Sequence, residues 1–155
     1  MKLRLLAVGA RSPGWVAEGF AEYARRMPAA LSIELVEIAP ASRKGASTER
    51  LLAREGERML SRIGRDDTVV ALAVTGRSLS TEELSDKLDE WRQRGRDVCF
   101  LIGGADGLAP AALARADEVL SLSALTFPHQ LIRILFTEQL YRAWTLLQGH
   151  PYHRG

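Results

Sequence analysis

Val98-Cys99-Phe100-Leu101-Ile102-Gly103-Gly104-Ala105-Asp106-Gly107 is an unbroken apolar run that ends directly in glycines. A strand apolar on both faces fits the middle of a parallel sheet covered by helices. Residues 3–8 and 68–74 read the same way, with a shorter candidate at 119–122. Residues 33–38 alternate instead, Ile33, Leu35 and Val36 against Glu34 and Glu37, which places that strand at or near an edge.

Helical stretches separate these strands. Residues 13–27 open after Ser12 with Pro13, a helix-start signal, and stop before Pro28. Residues 47–63 put Leu52, Gly56, Met59 and Ile63 on one face and end at Gly64. Residues 81–94 begin with a capping box, Ser80 with Glu83, and stop at Gly95. The last helix spans about 128–148, with Gly149 and Pro151 as stop signals. Alternating strands and helices predict one α/β domain over 1–155, a mostly parallel sheet with helices on both faces and right-handed crossovers. Residues 40–47 are the expected mobile loop.

Composition narrows the function classes. The 155 residues are 46% hydrophobic and 26% charged, and 21 basic against 19 acidic side chains leave a net charge of +2. Bulk charge therefore does not announce a nucleic-acid binder. The single cysteine excludes an intrachain disulfide and fits a reducing compartment. No apolar run approaches the ~20 residues that span a bilayer, and no signal peptide is evident. A cytoplasmic protein with neither membrane nor metal is expected.

Dinucleotide, P-loop, nucleophile-elbow and zinc-protease signatures are all absent. Cys99 reads as a small core residue, and His150 with His153 lacks the neighbours of a metal site. Residues 101–107 and 121–129 remain, each a strand end entering glycines or small hydroxylated residues. Ligands of open α/β sheets bind beyond such ends, although a tight turn and an ordinary helix cap would look alike. The tail, His150-Pro151-Tyr152-His153-Arg154-Gly155, holds two of the three histidines, equipped for stacking, proton transfer and phosphate contact unless it is a frayed terminus. Arg50, Arg54, Arg58 and Arg62 recur every four residues after Arg43 and Lys44, a stripe for RNA or merely a solvated face.

Four blocks, MKLRLLAVGA, GRDVCFLIGGADGL, SLSALTFPHQLIRILFTEQLYRAW and HPYHRG, together resemble the ribosomal RNA large-subunit methyltransferase H family over essentially the whole chain. That family is of the SPOUT class, so the resemblance implies a C-terminal trefoil knot, which periodicity alone does not suggest. It implies methyl transfer from S-adenosylmethionine to N3 of a pseudouridine in large-subunit ribosomal RNA, on assembled ribosomes, by a homodimer. It also implies cofactor contacts at Leu72 and Ala73, at Gly103 and Gly104, and at Leu122, Ser123, Ala124, Leu125, Thr126 and Phe127. Ala73 stands where an acidic residue can occur in the family, so backbone contact is expected there.

In-line methyl transfer requires alignment of donor and acceptor, and the acceptor N–H must lose its proton. His129, Glu138 and His153 have the right chemistry for a base. Arg142 could hold a phosphate or pair with Glu138, Tyr152 could stack on a flipped base, and Arg154 could clamp the backbone. Leu131, Leu135 and Phe136 give the last helix apolar surface for both core and partner. The competing reading is a ribosome-associated factor that binds RNA without catalysis; a hydrolase finds no nucleophile.

Overall fold

The structure, a computed structural model, describes residues 1–42 and 44–154. Arg43 and Gly155 lie outside the described residues, and with Arg43 goes part of the loop expected to be mobile. The elements in chain order are β1 (Lys2–Val8), α1 (Gly14–Ala24), a 3-10 turn (Ala29–Leu31), β2 (Ser32–Ile38), α2 (Thr48–Leu60), β3 (Thr68–Ser78), α3 (Thr81–Arg94), β4 (Val98–Ile102), α4 (Pro110–Arg115), β5 (Glu118–Ser121) and α5 (His129–Leu147). The strands form one five-stranded sheet, ordered β2-β1-β4-β3-β5, with every pairing parallel. The alternating strand takes the edge, as its pattern requires.

Pleating divides the apolar strands between two cores. Leu3, Leu5, Val70, Phe100 and Ile102 face a layer that includes Trp91 of α3 and Phe136, Leu140 and Ala143 of α5. Phe100 anchors it, edge-on to Trp91 at 5.4 Å and to Phe136 at 4.7 Å between ring centres. Leu6, Val8, Val69, Ala71, Cys99 and Leu101 face Met59 of α2 and Ala112 of α4. Helices therefore cover both faces. None of them is long and apolar enough to cross a membrane.

Local differences from expectation have physical causes. Leu51 rather than Leu52 joins Gly56 and Met59 as the buried residues of α2, one step round the helix. Ser12 does not cap α1; its hydroxyl accepts instead from Arg133 Nη1 at 2.7 Å, and Pro13 takes the cap position. The short α4 was not anticipated. Phe136 is spent on the core, so Leu131 and Leu135, both half-buried, carry the apolar surface left on α5.

The expected strand at 68–74 runs on to Ser78, and its far end behaves unusually. Leu120 of β5 pairs with Leu72 and again with Arg77, while Ser121 pairs with Ser78. Residues 73–76 thus stand out of register between two pairings with the same β5 residue. Gly76 lies against β5 there, where a Cβ would stand 2.7 Å from the backbone of Val119 and Leu120.

Cys99 is fully buried, with its thiol 3.4 Å from Asp67 Oδ2. Burial first, and the Asp67 carboxylate second, push its pKa up to about 12. Only the thiolate reacts, so alkylation of the folded protein at pH 8 should be slower by roughly 10³-fold than that of the unfolded chain. Timed thiol titration with and without denaturant measures this. Because the folded state favours the neutral thiol, the contribution to stability holds below the ordinary thiol pKa and fades as pH rises toward 12.

Candidate functional site

The carboxyl ends of β3, β4 and β5 open on a cavity of about 460 Å³, within the range of small-molecule sites. Its floor is the turn after β4. Gly104 to Gly107 close that turn through an antiparallel bridge and a 3.1 Å hydrogen bond from Gly107 N to Gly104 O. Gly103 admits no side chain, since a Cβ there would lie 2.4 Å from the Gly107 carbonyl carbon. Bare backbone is thus presented to whatever occupies the cavity. The opposite wall is the segment from Ser121 to Phe127, pinned by Ser121 Oγ donating to Ser123 O (3.0 Å) and Leu125 N donating to Ser123 Oγ (3.0 Å).

Of the residues expected at a cofactor, Leu72, Ala73, Gly103, Gly104, Leu122, Ser123, Leu125, Thr126 and Phe127 line this cavity. Ala124 is exposed and is not in the lining. Val74 and Thr75, on the irregular stretch of β3, also line it, as do Ile102, Leu108, Leu113 and Ile132. Sequence patterning missed them because Val74 reads as the end of a strand and Thr75 lies just past it. Val74, Leu113 and Leu125 are exposed, an apolar rim.

His129 lines this cavity and a smaller one beside it. Its ring sits on the turn after β1, where a Cβ on Gly9 would lie 3.1 Å from His129 Nε2; Gly9 has a φ of 148°, a value that suits glycine. One helical turn on, Arg133 is completely buried. Its guanidinium donates to Ser12 Oγ, to Glu37 Oε2 at 3.3 Å and to Ala10 O at 3.5 Å, fastening α5 to the ends of β1 and β2. Burial lowers its pKa, an effect the Glu37 charge partly offsets. Nothing in the sequence patterning singled out this arginine.

Glu138, Arg142, Tyr152 and His153 come together elsewhere, and none of them lines the large cavity. Arg142 donates to Glu138 Oε1 at 2.7 and 2.9 Å, Tyr152 Oη donates to the same oxygen at 3.1 Å, and Gln139 donates to Glu138 Oε2 at 2.9 Å. Glu138 is thereby occupied as an acceptor, an anchor rather than a free base. Tyr152 packs edge-on to Tyr141 at 4.8 Å and beneath the Arg142 guanidinium, also 4.8 Å from its ring centre. Burial, then the Glu138 charge, raises the Tyr152 pKa, and the Glu138 hydrogen bond raises that of Arg142.

His153 faces Arg142 Nη1 through Nδ1 at 3.3 Å and Glu82 Oε1 through Nε2 at 3.0 Å. A guanidinium can only donate, so this contact seats Nδ1 as its acceptor while Nε2 is turned to the Glu82 carboxylate. In this arrangement its basic nitrogen is taken. Glu82, at the start of α3, has a lowered pKa, first through its own backbone N–H and next through His153. Arg154 is exposed and, among the described residues, reaches Pro151 O at 3.4 Å. The tail is docked, not frayed.

Arg50, Arg54, Arg58 and Arg62 are exposed, and Arg58 donates to Ala39 O (2.8 Å) and Pro40 O (3.1 Å). Among the described residues, no group of three or more His, Cys, Asp or Glu could hold a metal ion.

Comparison with known proteins agrees with this geometry. A family profile described as "Predicted SPOUT methyltransferase" matches residues 1–153. A protein of Chromohalobacter salexigens is 56% identical over 155 residues, covering 99% of this chain and 100% of its own. One from Alkalilimnicola ehrlichii is 56% identical over 156 residues and covers both chains fully. Each is named ribosomal RNA large subunit methyltransferase H. A probable methylase family protein from Haemophilus influenzae shares the fold, with a TM-score of 0.56 at 14% identity, over 99% of this chain and 70% of that one. TrmJ from Z. mobilis does so at 0.51 and 16%, over 94% and 70%. The chain belongs to the SPOUT methyltransferase family, among relatives named ribosomal RNA large subunit methyltransferase H.

Proposed function

We propose that the protein, as a single domain over 1–155, methylates N3 of a pseudouridine in large-subunit ribosomal RNA, on assembled ribosomes in the cytoplasm, with S-adenosylmethionine as donor. The observation that carries this reading is the cavity at three strand ends, floored by the Gly103–Gly104 backbone. Its volume and exposed peptide groups suit a nucleoside with a charged amino-acid tail. Leu72, Ala73, Gly103, Gly104, Leu122, Ser123, Leu125, Thr126 and Phe127 hold that donor. When bound, it supplies a methyl group on a sulfonium, a good leaving group. A trefoil knot, in which the segment after β3 encircles β5, keeps these loops in fixed relation.

The acting unit is a homodimer. Val74, Leu113 and Leu125 form the apolar rim that a second copy covers, and the tail of one subunit completes the other's site. Tyr152 then stacks on the base and Arg154 holds a phosphate, while Glu138 and Arg142 position them. Alternatively the protein is a ribosome-bound factor without catalysis, which predicts no affinity for the donor.

Calorimetric titration with S-adenosylmethionine, sized by light scattering in the same buffer, should give one site per subunit of a dimer. Mass mapping of ribosomal RNA should then show one methylated pseudouridine, formed fast on assembled particles and slowly on protein-free RNA. A net charge of +2 leaves few phosphates neutralised on free RNA, and so a shallow salt slope. Equal initial rates on both substrates would refute the ribosome requirement.

A further inference from the structure

Residues 9–12, which carry the chain from β1 toward α1, are fastened along the main chain. Gly9 N donates to Ile38 O at 3.1 Å, and Ser12 N donates to Glu37 Oε2 at 2.8 Å. Ala10 O accepts from Gln130 Nε2 at 3.0 Å. The buried Arg133 guanidinium adds its bonds to Ser12 Oγ, Glu37 Oε2 and Ala10 O. This fastening is costly, because Arg133 Nε and Gln130 Oε1 are both buried without a hydrogen-bond partner. An apolar side chain of similar volume in place of a buried charge is often neutral or stabilising. What the arginine contributes is a turn with one fixed shape.

That turn leads outward to Arg11 and, at the start of α1, to Trp15. Arg11 is exposed. Trp15 is 59% exposed, the one aromatic among the exposed large apolar residues. α1 cannot roll to cover it: Val16 is fully buried, and Gly19 lies so close to α5 that a Cβ would stand 2.7 Å from Ile134 Cδ1. We infer that Trp15 and Arg11 form a docking point for one unpaired nucleotide of the RNA substrate. The indole stacks on its base and the guanidinium holds a phosphate. This nucleotide is a neighbour of the one that is methylated, and the inference rests on the methyltransferase reading. The turn borders that site, since a Cβ on Gly9 would lie 3.1 Å from Nε2 of His129, which lines the large cavity.

A nucleotide fits this surface better than a protein does. Val74, Leu113 and Leu125, the other exposed large apolar residues, all line the large cavity. Beside Trp15 on α1, Gly14, Ala17 and Glu18 are exposed but small or charged. A single ring is ample for one base, and far short of the roughly 800 Å² that each partner buries in a stable protein interface. Unstacked bases are what proteins grip in RNA, and an indole face accepts any of them.

Both side chains are exposed, so their removal tests the surface without threatening the fold. Trp15→Ala should weaken binding to ribosomes by about 10-fold or more, and Trp15→Phe by much less. Neither should change the affinity for S-adenosylmethionine. Arg11→Ala should reduce the slope of log affinity against log salt by about one, which Trp15→Ala should not. A direct readout needs no turnover. The emission of wild type minus that of Trp15→Phe isolates Trp15, and a protein-free stem-loop of large-subunit RNA at low salt should quench it. Undiminished Trp15 emission with RNA bound, or wild-type affinity for ribosomes in Trp15→Ala, overturns the assignment. So does a smaller species of Trp15→Ala in light scattering, which would place the ring against a second copy. Failure of the unaltered protein to bind S-adenosylmethionine would instead defeat the methyltransferase reading and leave the quenching as it is.

Discussion

Deleting residues 150–155 is expected to lower single-turnover methylation by about 10²-fold or more, the cost of a misplaced reacting base once Tyr152 and Arg154 are gone, while donor affinity stays the same. Sparing of donor binding follows because none of residues 150–154 lines the large cavity. The melting temperature should also fall by a few degrees. Tyr152 is packed on Tyr141 and Arg142 and bonded to Glu138, so its loss uncovers a ring and strips one partner from a carboxylate. His153→Ala separates the two effects, since it keeps Tyr152 docked. A truncated enzyme with wild-type turnover would show that the tail only braces α5.

Gly103→Val should abolish binding of S-adenosylmethionine altogether. A Cβ at this position meets Gly107 backbone at 2.4 Å and Leu108 N at 2.8 Å, so the turn that floors the cavity must open. Gly104→Val is the gentler companion. Its Cβ meets Val8 Cγ1 at 3.2 Å, a side chain able to shift, and weakened rather than absent binding is expected. Calorimetry on proteins shown to be folded by circular dichroism reads both. Unchanged affinity in Gly103→Val would move the donor site elsewhere.

The strand ends carried most of what could be read in advance. β4 was bounded to the residue, because an apolar run ending in glycine has one sensible reading, and α3 likewise between its capping box and Gly95. Two of the three cavity walls followed from the rule that ligands gather at carboxyl ends of strands. The third depended on resemblance, since the strand pattern runs to Val74 and nothing local says that the ladder shifts register after Leu72. α4 escaped because Pro110–Arg115 is too short to show a period. Arg133 escaped for a different reason: burial of a charge depends on Ser12 and Glu37, which are distant in sequence. The tail was chosen for its residue types, but only coordinates reveal that Glu138 and His153 have their acceptor atoms engaged.

The borders of the sheet bear on how this protein avoids joining other strands. A sheet ordinarily exposes two rows of unpaired peptide groups, each an invitation to strand addition and aggregation. Here the β2 border is guarded by Glu34, paired with Lys2 and Arg4, and by Glu37, paired with Arg133. The β5 border is only four residues long, and its Leu120 and Ser121 already pair with Arg77 and Ser78. Charge at one border and brevity at the other make both poor templates for an added strand.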